Sequence, residues 1–181
     1  FPNLNPKGVV MKMFIGGEWV DRNSTIEVLN PYDGSVIDTI PRANADDVKL
    51  AVGTAVRGAE VMAAMPAHER YRILHKAAEL MQERVEDLGQ TISKEEGKVI
   101  GEGRGEAGRA VDTITLSAEE AKRLYGETIP LDGATGAEGK FGFTLRVPCG
   151  VVVAITPFNF PLNLVCHKVG PALAAGNTVV L

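Results

Sequence analysis

The sequence predicts an α/β fold in which residues 149–181 form a unit of parallel strand, helix and parallel strand. The run "VVVAIT" (151–156) is continuously apolar and rich in β-branched residues, which is typical of a strand buried on both faces of a parallel sheet. A helical pattern follows from about Pro161 to Ala175. A second short run, "NTVVL", completes a βαβ unit.

Short strands are predicted at the start of the chain. The stretches "MFIGGEWV" and "TIEVLNPYDGSVIDTI" are typical of β segments, and Gly16-Gly17 and Asp33-Gly34 supply turn residues. The pattern indicates a small antiparallel unit.

Three helices are predicted between these strands and the βαβ unit. Asn44 can cap a helix of about four turns. Pro66 opens a second helical stretch that continues to Gly97, and "EAGRAVDTITLSAEEAKRLYGE" predicts a third that stops at Gly126. The predicted apolar members of the third helix are Val111, Ile114, Leu116, Ala118 and Leu124.

The glycine-rich segment 127–148 predicts an excursion from this body. Within it, "FGFTLRV" alternates like a hairpin strand before Pro148 breaks the pattern. The chain stops inside the second strand of the βαβ unit, where two parallel strands would leave large apolar faces uncovered. We therefore expect an incomplete domain.

Composition excludes several classes of function. The chain has 181 residues, 45% hydrophobic and 23% charged, and a net charge of -4, which predict a soluble globular protein without a nucleic-acid or anionic-membrane partner. No apolar run approaches the roughly 20 residues of a membrane helix. The first ten residues lack the features of a signal peptide and are expected to be an extension outside the fold.

Two motifs that suggest chemistry favour a structural interpretation. "GRGEAG", Gly103 to Gly108, matches G-x-G-x-x-G, but no buried strand precedes it, and Glu106 would repel a pyrophosphate. We interpret it as a glycine-rich entry to the third helix. His68 and His75 lie seven residues apart on a charged helix face, so no metal site is predicted.

The two cysteines are interpreted as core residues. Neither Cys149 nor Cys166 has a visible base or a C-x-x-C partner, and both have apolar neighbours. Unpaired cysteines in such surroundings favour a reducing compartment, and the cytoplasm is the expected location.

The loop after "VVVAIT" is the most informative stretch. It carries Asn159 between Pro157 and Pro161, at the carboxyl end of a parallel strand, where open α/β sheets bind ligands. The Asn159 amide could donate a hydrogen bond to a developing oxyanion, or it could cap the helix that starts near Pro161. Spacing alone leaves both interpretations open.

The segment "TPFNFPLNLVCHKVGPALAAGNTVVL", preceded by "VPCGVVVAI", resembles the region around the catalytic asparagine of the aldehyde dehydrogenase superfamily. The family motif is P-[WF]-N-[FY]-P followed by K-x-x-P-A-L-x-x-G-N. Weaker similarity extends to "FIGGEWV", "NPYDGSVI" and "SAEEAKRLYGE", so the resemblance covers nearly everything after the first ten residues. Within the superfamily, the resemblance is strongest to the lactaldehyde and non-phosphorylating glyceraldehyde-3-phosphate dehydrogenase branch.

The resemblance implies roles for the loop residues. Asn159 would supply the side-chain amide of the oxyanion hole that holds the aldehyde oxygen as a thiohemiacetal forms and collapses. Ile155, Thr156, Pro157 and Phe158 would form the wall near the nicotinamide and its ribose, with NAD or NADP as cofactor.

Three further residues gain candidate roles from the resemblance. Lys168 matches a lysine that joins a proton relay in some members, with a helix-surface lysine as the alternative. His167 falls where members line the substrate tunnel. Arg109 matches an arginine that binds the anionic end of phosphorylated glyceraldehyde, with a surface ion pair to Glu106 or Asp112 as the alternative.

The resemblance also implies a division of the chain. Residues 11–126 would be the N-terminal part of a Rossmann-like cofactor-binding domain, 127–148 an oligomerisation hairpin, and 149–181 the first βαβ unit of its sheet. The family's nucleophilic cysteine and general-base glutamate would lie beyond Leu181.

The function expected from these features is oxidation of an aldehyde, with a small anionic aldehyde favoured. The reaction would proceed in the complete protein, a homo-oligomer that is a dimer or tetramer, while this chain alone is expected to be inactive. The alternative is a non-catalytic nucleotide-binding or scaffold relative of the same fold.

Overall fold

The structure is a computed structural model that describes residues 11–181. The predicted extension, residues 1–10, lies outside the described residues. No described helix is both long enough and apolar enough to cross a membrane.

Two antiparallel β-ribbons begin the described chain, as the sequence predicts. Each ribbon pairs two consecutive strands, so the predicted antiparallel unit consists of two separate two-stranded sheets. The strands are β1 (Met13–Ile15), β2 (Glu18–Val20), β3 (Thr25–Leu29) and β4 (Val36–Pro41).

Four helices follow, where the sequence predicts three. They are α1 (Ala45–Ala64), α2 (Ala67–Gln82), α3 (Val85–Glu96) and α4 (Ile100–Ala121). The expected second helix is wrong as one element, because the chain leaves helical geometry at Arg84, with φ -118° and ψ 16°. Gly97 ends α3 in the left-handed conformation, which agrees with the sequence.

Helix α1 is capped as predicted and is longer than expected. The Asn44 side chain accepts hydrogen bonds from the N–H groups of Asp46 and Asp47, and the Asp47 carboxylate accepts the Asn44 N–H in return. This reciprocal capping box satisfies the first amides of the helix. The helix has 20 residues, about five and a half turns.

Helix α4 begins earlier than predicted, and its glycine motif is helical. Gly103 to Gly108 lie inside α4 rather than in a loop at its entry. A Cβ added to Gly103 would lie 2.5 Å from the Gly89 carbonyl oxygen, so glycine permits α3 to approach α4 closely. Packing of α3 on α4 thus outweighs the low helix propensity of glycine.

The end of α4 also differs from the prediction. The helix ends at Ala121, before Gly126. Gly126 instead permits a close approach of two chain segments, because a Cβ there would lie 1.6 Å from the Thr144 carbonyl oxygen. Of the five predicted apolar members, Val111, Ile114 and Ala118 are buried, whereas Leu116 and Leu124 are exposed.

The main core lies between α2, α4 and the helix of the βαβ unit. Small side chains dominate it and let the three helices approach closely. Its buried members are Leu74, Ala78, Ala110, Val111, Ile114, Ala118, Ala121, Cys166 and Ala174.

The predicted hairpin is present but short. Its strands, β5 (Thr128–Ile129) and β6 (Gly142–Phe143), pair antiparallel, and only two residues of "FGFTLRV" belong to a strand.

The βαβ unit is confirmed. Its elements are β7 (Val151–Val153), α5 (Asn163–Ala174) and β8 (Thr178–Val180), and the two strands are parallel. Burial of β7 on both faces is not observed within residues 11–181, because Val153 is 64% exposed.

Asn177 fastens this unit together. Its buried side-chain oxygen accepts hydrogen bonds from the N–H groups of Cys149, at 2.7 Å, and Gly150, at 2.9 Å. Its Nδ2 donates to the Ala172 carbonyl oxygen at 3.2 Å. One amide therefore joins the start of β7, the end of α5 and the start of β8.

Candidate active site

The candidate site is the loop 154–162, which leaves the carboxyl end of β7 and leads into α5. Asn159 is exposed on this loop. Helix α5 begins at Asn163, and its N-cap residue, Leu162, contributes no side-chain capping bond. The capping interpretation of Asn159 is therefore wrong, because the N–H groups of Leu162 and Asn163 donate to a different side chain, that of Glu106.

A carboxylate from another helix caps α5 instead. Glu106, on α4, is fully buried at 0% exposure, and its Oε1 accepts hydrogen bonds from the N–H groups of Leu162, at 2.9 Å, and Asn163, at 3.1 Å. The N-terminus of a helix attracts negative charge, since its unpaired N–H groups and dipole point outward. Glu106 thus stabilises the first turn of α5 from a neighbouring element.

Lys98, between α3 and α4, completes the arrangement. Its Nζ donates to Glu106 Oε2 at 2.8 Å and to the Asn159 carbonyl oxygen at 2.6 Å, and it lies 3.0 Å from Glu96 Oε2. Burial alone would lower the pKa of Lys98, but the carboxylates of Glu106 and Glu96 outweigh it and raise that pKa. The ammonium therefore stays charged against the main chain of the candidate catalytic residue.

The Phe160 ring lies close to two cations. Lys98 Nζ is 4.0 Å from the ring centroid, and the Arg109 guanidinium carbon is 5.2 Å from it. Both distances suit a cation–π contact. Phe160 follows Asn159 directly, so these contacts also restrict the loop.

Arg109 does not form the ion pairs that were its alternative role. Glu106 is engaged by Lys98 and by the N–H groups of α5, and none of the ion pairs recorded among residues 11–181 joins Arg109 to Asp112. The Arg109 side chain is exposed beside Phe160. No carboxylate among residues 11–181 therefore holds the Arg109 guanidinium.

The predicted cofactor wall is presented outward. Ile155 is 82% exposed and Phe158 is 85% exposed, while Pro157 is exposed and Thr156 is half-buried. Large apolar side chains at this level of exposure, at the carboxyl end of parallel strands, provide a surface on which a planar ring can pack. Their contact with a cofactor stays a prediction.

Lys168 and His167 are neighbours on α5 with different surroundings. His167 is exposed and lines a groove of about 310 Å³ between α4 and α5. Lys168 is half-buried, and the described part of the chain provides it with no recorded ion pair or hydrogen bond. The groove beside His167 is also lined by Thr113, Leu116, Ser117, Glu120, Leu124, Pro171 and Ala174.

The two cysteines differ in burial. Cys166 is buried as predicted, and burial together with the nearby charge of Glu106 raises the pKa of its thiol to about 11. It is therefore a poor nucleophile at neutral pH. Cys149 is exposed, so its assignment to the core is wrong: it lies in the segment that enters β7, where Asn177 holds only its backbone N–H.

Sequence reasoning missed the roles of Lys98 and Glu106 at this loop. Glu106 stands three residues after Gly103 and four before Ala110, on the buried face of α4. A charged residue on an apolar helical face signals a paired or capping group, and this signal was available from the sequence. Lys98 gave no comparable signal.

The exposed Asn159 amide lies on the loop that leaves the carboxyl end of a parallel strand, which is the position at which open α/β sheets bind ligands. The chain belongs to the aldehyde dehydrogenase family, whose sequence profile matches residues 19–181.

Its relatives agree in sequence and structure. The chain is 48% identical over 169 residues to 3-sulfolactaldehyde dehydrogenase of Priestia aryabhattai, a match that covers 93% of this chain and 35% of that protein. The crystal structure of aldehyde dehydrogenase 21 from Physcomitrella patens, in complex with the reaction product succinate, superposes with a TM-score of 0.90 at 41% identity and covers 94% of this chain and 36% of that one.

A third similar protein is the NADP-dependent glyceraldehyde-3-phosphate dehydrogenase of Bacillus halodurans, solved with NADP. It has a TM-score of 0.89 at 37% identity, over 94% of this chain and 37% of that one. The chain thus spans about a third of the length of the relatives it matches.

Proposed function

We propose that the protein carrying this chain oxidises an aldehyde to a carboxylic acid with NAD or NADP. The observation that carries the proposal is the exposed side-chain amide of Asn159. Asn159 lies on the loop that leaves the carboxyl end of β7, and its side chain makes no recorded hydrogen bond with the described residues. Membership of the family and the similarity to dehydrogenases that act on aldehydes support it.

The chemical role of Asn159 is to bind the aldehyde oxygen. When a nucleophile adds to a carbonyl group, negative charge develops on the oxygen, and a fixed N–H donor stabilises that charge more in the transition state than in the ground state. The Asn159 Nδ2 is such a donor. The nucleophile itself would come from the part of the family's length that this chain does not span.

The bound cofactor supplies the acceptor for a hydride from the substrate carbon. Ile155, Thr156, Pro157 and Phe158 would form the wall against which it packs. Lys168, on α5, is proposed to take part in a proton relay. His167 is proposed to line the path of the substrate. NAD and NADP both remain compatible with these residues.

Arg109 is proposed to select an anionic aldehyde. Its guanidinium is exposed, lies beside Phe160 and is held by no recorded carboxylate within residues 11–181. Two parallel N–H groups suit a phosphate, sulfonate or carboxylate at the far end of a short substrate.

The hairpin of 127–148 is proposed to mediate assembly into a dimer or tetramer. Phe141, Phe143, Leu145 and Val147 are all exposed along it. Contiguous exposed apolar residues are typical of surfaces that another subunit covers. We also propose a cytoplasmic location, because the chain keeps two free cysteines.

The proposed activity is tested by product stoichiometry. A full-length polypeptide that contains these residues should convert short carboxylated or phosphorylated aldehydes to acids, with one reduced cofactor formed for each acid. Reduced-cofactor absorbance and chromatography of the acid measure the two products. Binding of NAD or NADP without acid formation, across neutral and anionic aldehydes, would instead support the non-catalytic alternative.

A further inference from the structure

We propose that Lys98 and Glu106 form a positioning clamp that fixes the main chain of the Asn159 loop for catalysis. The inference rests on the proposed function, because the clamp serves catalysis only if Asn159 binds the aldehyde oxygen. Neither residue contacts the reacting atoms in this arrangement, so both act through Asn159.

The clamp holds the loop at two points. Lys98 donates to the carbonyl oxygen of Asn159 itself, and Glu106 accepts the N–H groups of Leu162 and Asn163. The 2.8 Å bond between the two side chains closes the connection. The segment from 159 to 163 is therefore fixed at both ends by a single ion pair.

The Asn159 side chain needs such support. It is exposed and has no recorded hydrogen bond among residues 11–181, so its direction depends on its own main chain and on Phe160 beside it. An oxyanion donor works only within about 0.5 Å of its productive position. Lys98 contacts both the Asn159 carbonyl and the Phe160 ring, and so acts on the two residues that set that direction.

Stability alone gives little reason for a charged pair at this depth. Glu106 is fully buried and Lys98 is 15% exposed. Desolvation makes a buried ion pair no better for stability than well-packed apolar side chains in many proteins. Here, however, both charged groups direct hydrogen bonds at the main chain of one loop, which apolar side chains could not do.

The variants are chosen to separate positioning from folding. Glu106→Gln keeps the shape but removes the charge that holds Lys98. Lys98→Met leaves the carboxylate of Glu106 in place to accept the N–H groups of α5, and it removes every contact of the ammonium, those to Glu106, Glu96 and Phe160 as well as that to the Asn159 carbonyl. It serves as the second variant if Glu106→Gln does not fold. Asp47→Asn is the matched control.

The control reproduces the chemistry of the clamp in another place. Asp47 is 2% exposed, pairs with Arg22 and accepts a backbone N–H at a helix start, as Glu106 does. Its recorded partners, Arg22 and Asn44, are not in the Asn159 loop. Loss of stability without loss of positioning should therefore appear in this variant.

The experiment is a double-mutant cycle in the full-length enzyme. Glu106→Gln and Lys98→Met should each lower kcat by about 10- to 100-fold, with the dissociation constant of the cofactor changed less than about twofold. In an Asn159→Ala background the same changes should cost less than about threefold, because the group they position is gone. Asp47→Asn should keep kcat even if its melting temperature falls as far.

Hydrogen exchange gives a second readout that does not depend on turnover. The backbone N–H groups of Asn159, Phe160, Leu162 and Asn163 should exchange faster in Glu106→Gln than in the wild type. In Asp47→Asn their exchange should not change. Multiplicative losses in the cycle, or kcat preserved in both clamp variants of an active enzyme, would overturn the positioning role alone. A wild type that oxidises no aldehyde overturns the proposed function, and the positioning role with it.

Discussion

Arg109 and Cys166 show how surroundings decide what a single side chain can do. The first is a cation exposed beside the loop that carries Asn159, and the second is a thiol on the buried side of α5, the helix that follows this loop. The structure thereby distinguishes a group available to a ligand from one that is not.

Substrate charge should reveal the role of Arg109. Replacement by Leu should raise KM for a carboxylated or phosphorylated aldehyde by about 10- to 100-fold, since a charge-assisted hydrogen bond is worth roughly 1.5–3 kcal/mol. Steady-state kinetics with a neutral aldehyde of similar length is the control and should change little. Equal effects on both substrates would show that Arg109 does not bind the anionic group.

Thiol labelling should distinguish the cysteines. At pH 8 a thiol with a pKa of about 11 has roughly a thousandth of its molecules as thiolate, and Cys166 is also shielded from reagent. Alkylation followed by peptide mass spectrometry should label Cys149 in the native chain and Cys166 only after unfolding in urea. Equal labelling rates in the native state would contradict the packing of α5 on α4.

At the scale of elements, the βαβ unit is joined by one side-chain amide, that of Asn177. Asn177 links the start of β7 to the end of α5 and the start of β8, and removing its side chain would leave the N–H groups of Cys149 and Gly150 without their acceptor. Unpaired buried donors destabilise a fold more than the bond itself stabilises it.

Asn177→Ala should therefore lower the free energy of unfolding by about 3 kcal/mol. The shift in the denaturant midpoint, followed by circular dichroism, measures this change. Asn23→Ala, which removes an exposed amide before β3, is the matched control and should shift stability by less than about 0.5 kcal/mol. A similar shift in both variants would show that the Asn177 bonds do not support the unit.

Local patterns were sufficient for the order of most elements but not for all their limits. Asn44 and Gly97 act on their own helices through local bonds, so their roles followed from sequence. The break at Arg84 did not, because charged helix-forming residues surround it. The helical state of Gly103 depends on Gly89 across the interface with α3, which spacing along one helix cannot indicate.

At the scale of the whole molecule, local sequence patterns predict the candidate site only in part. The position of Asn159 at the end of a parallel strand was predictable from sequence, but the choice between a cap and a donor was not. The group that caps α5 is Glu106, 56 residues before Leu162, and no local rule connects the two. The family resemblance favoured the oxyanion donor, and the structure shows that Glu106, not Asn159, caps α5.

The donor role of Asn159 is tested most directly by single-turnover kinetics of a full-length enzyme that contains this chain. With cofactor bound and enzyme in excess, Asn159→Ala should slow formation of the reduced cofactor by about 100-fold or more, because a fixed oxyanion donor is worth roughly 3 kcal/mol. Cofactor affinity should stay unchanged, and Asn23→Ala should react at the wild-type rate. A chemical step of unaltered rate in Asn159→Ala would contradict the account.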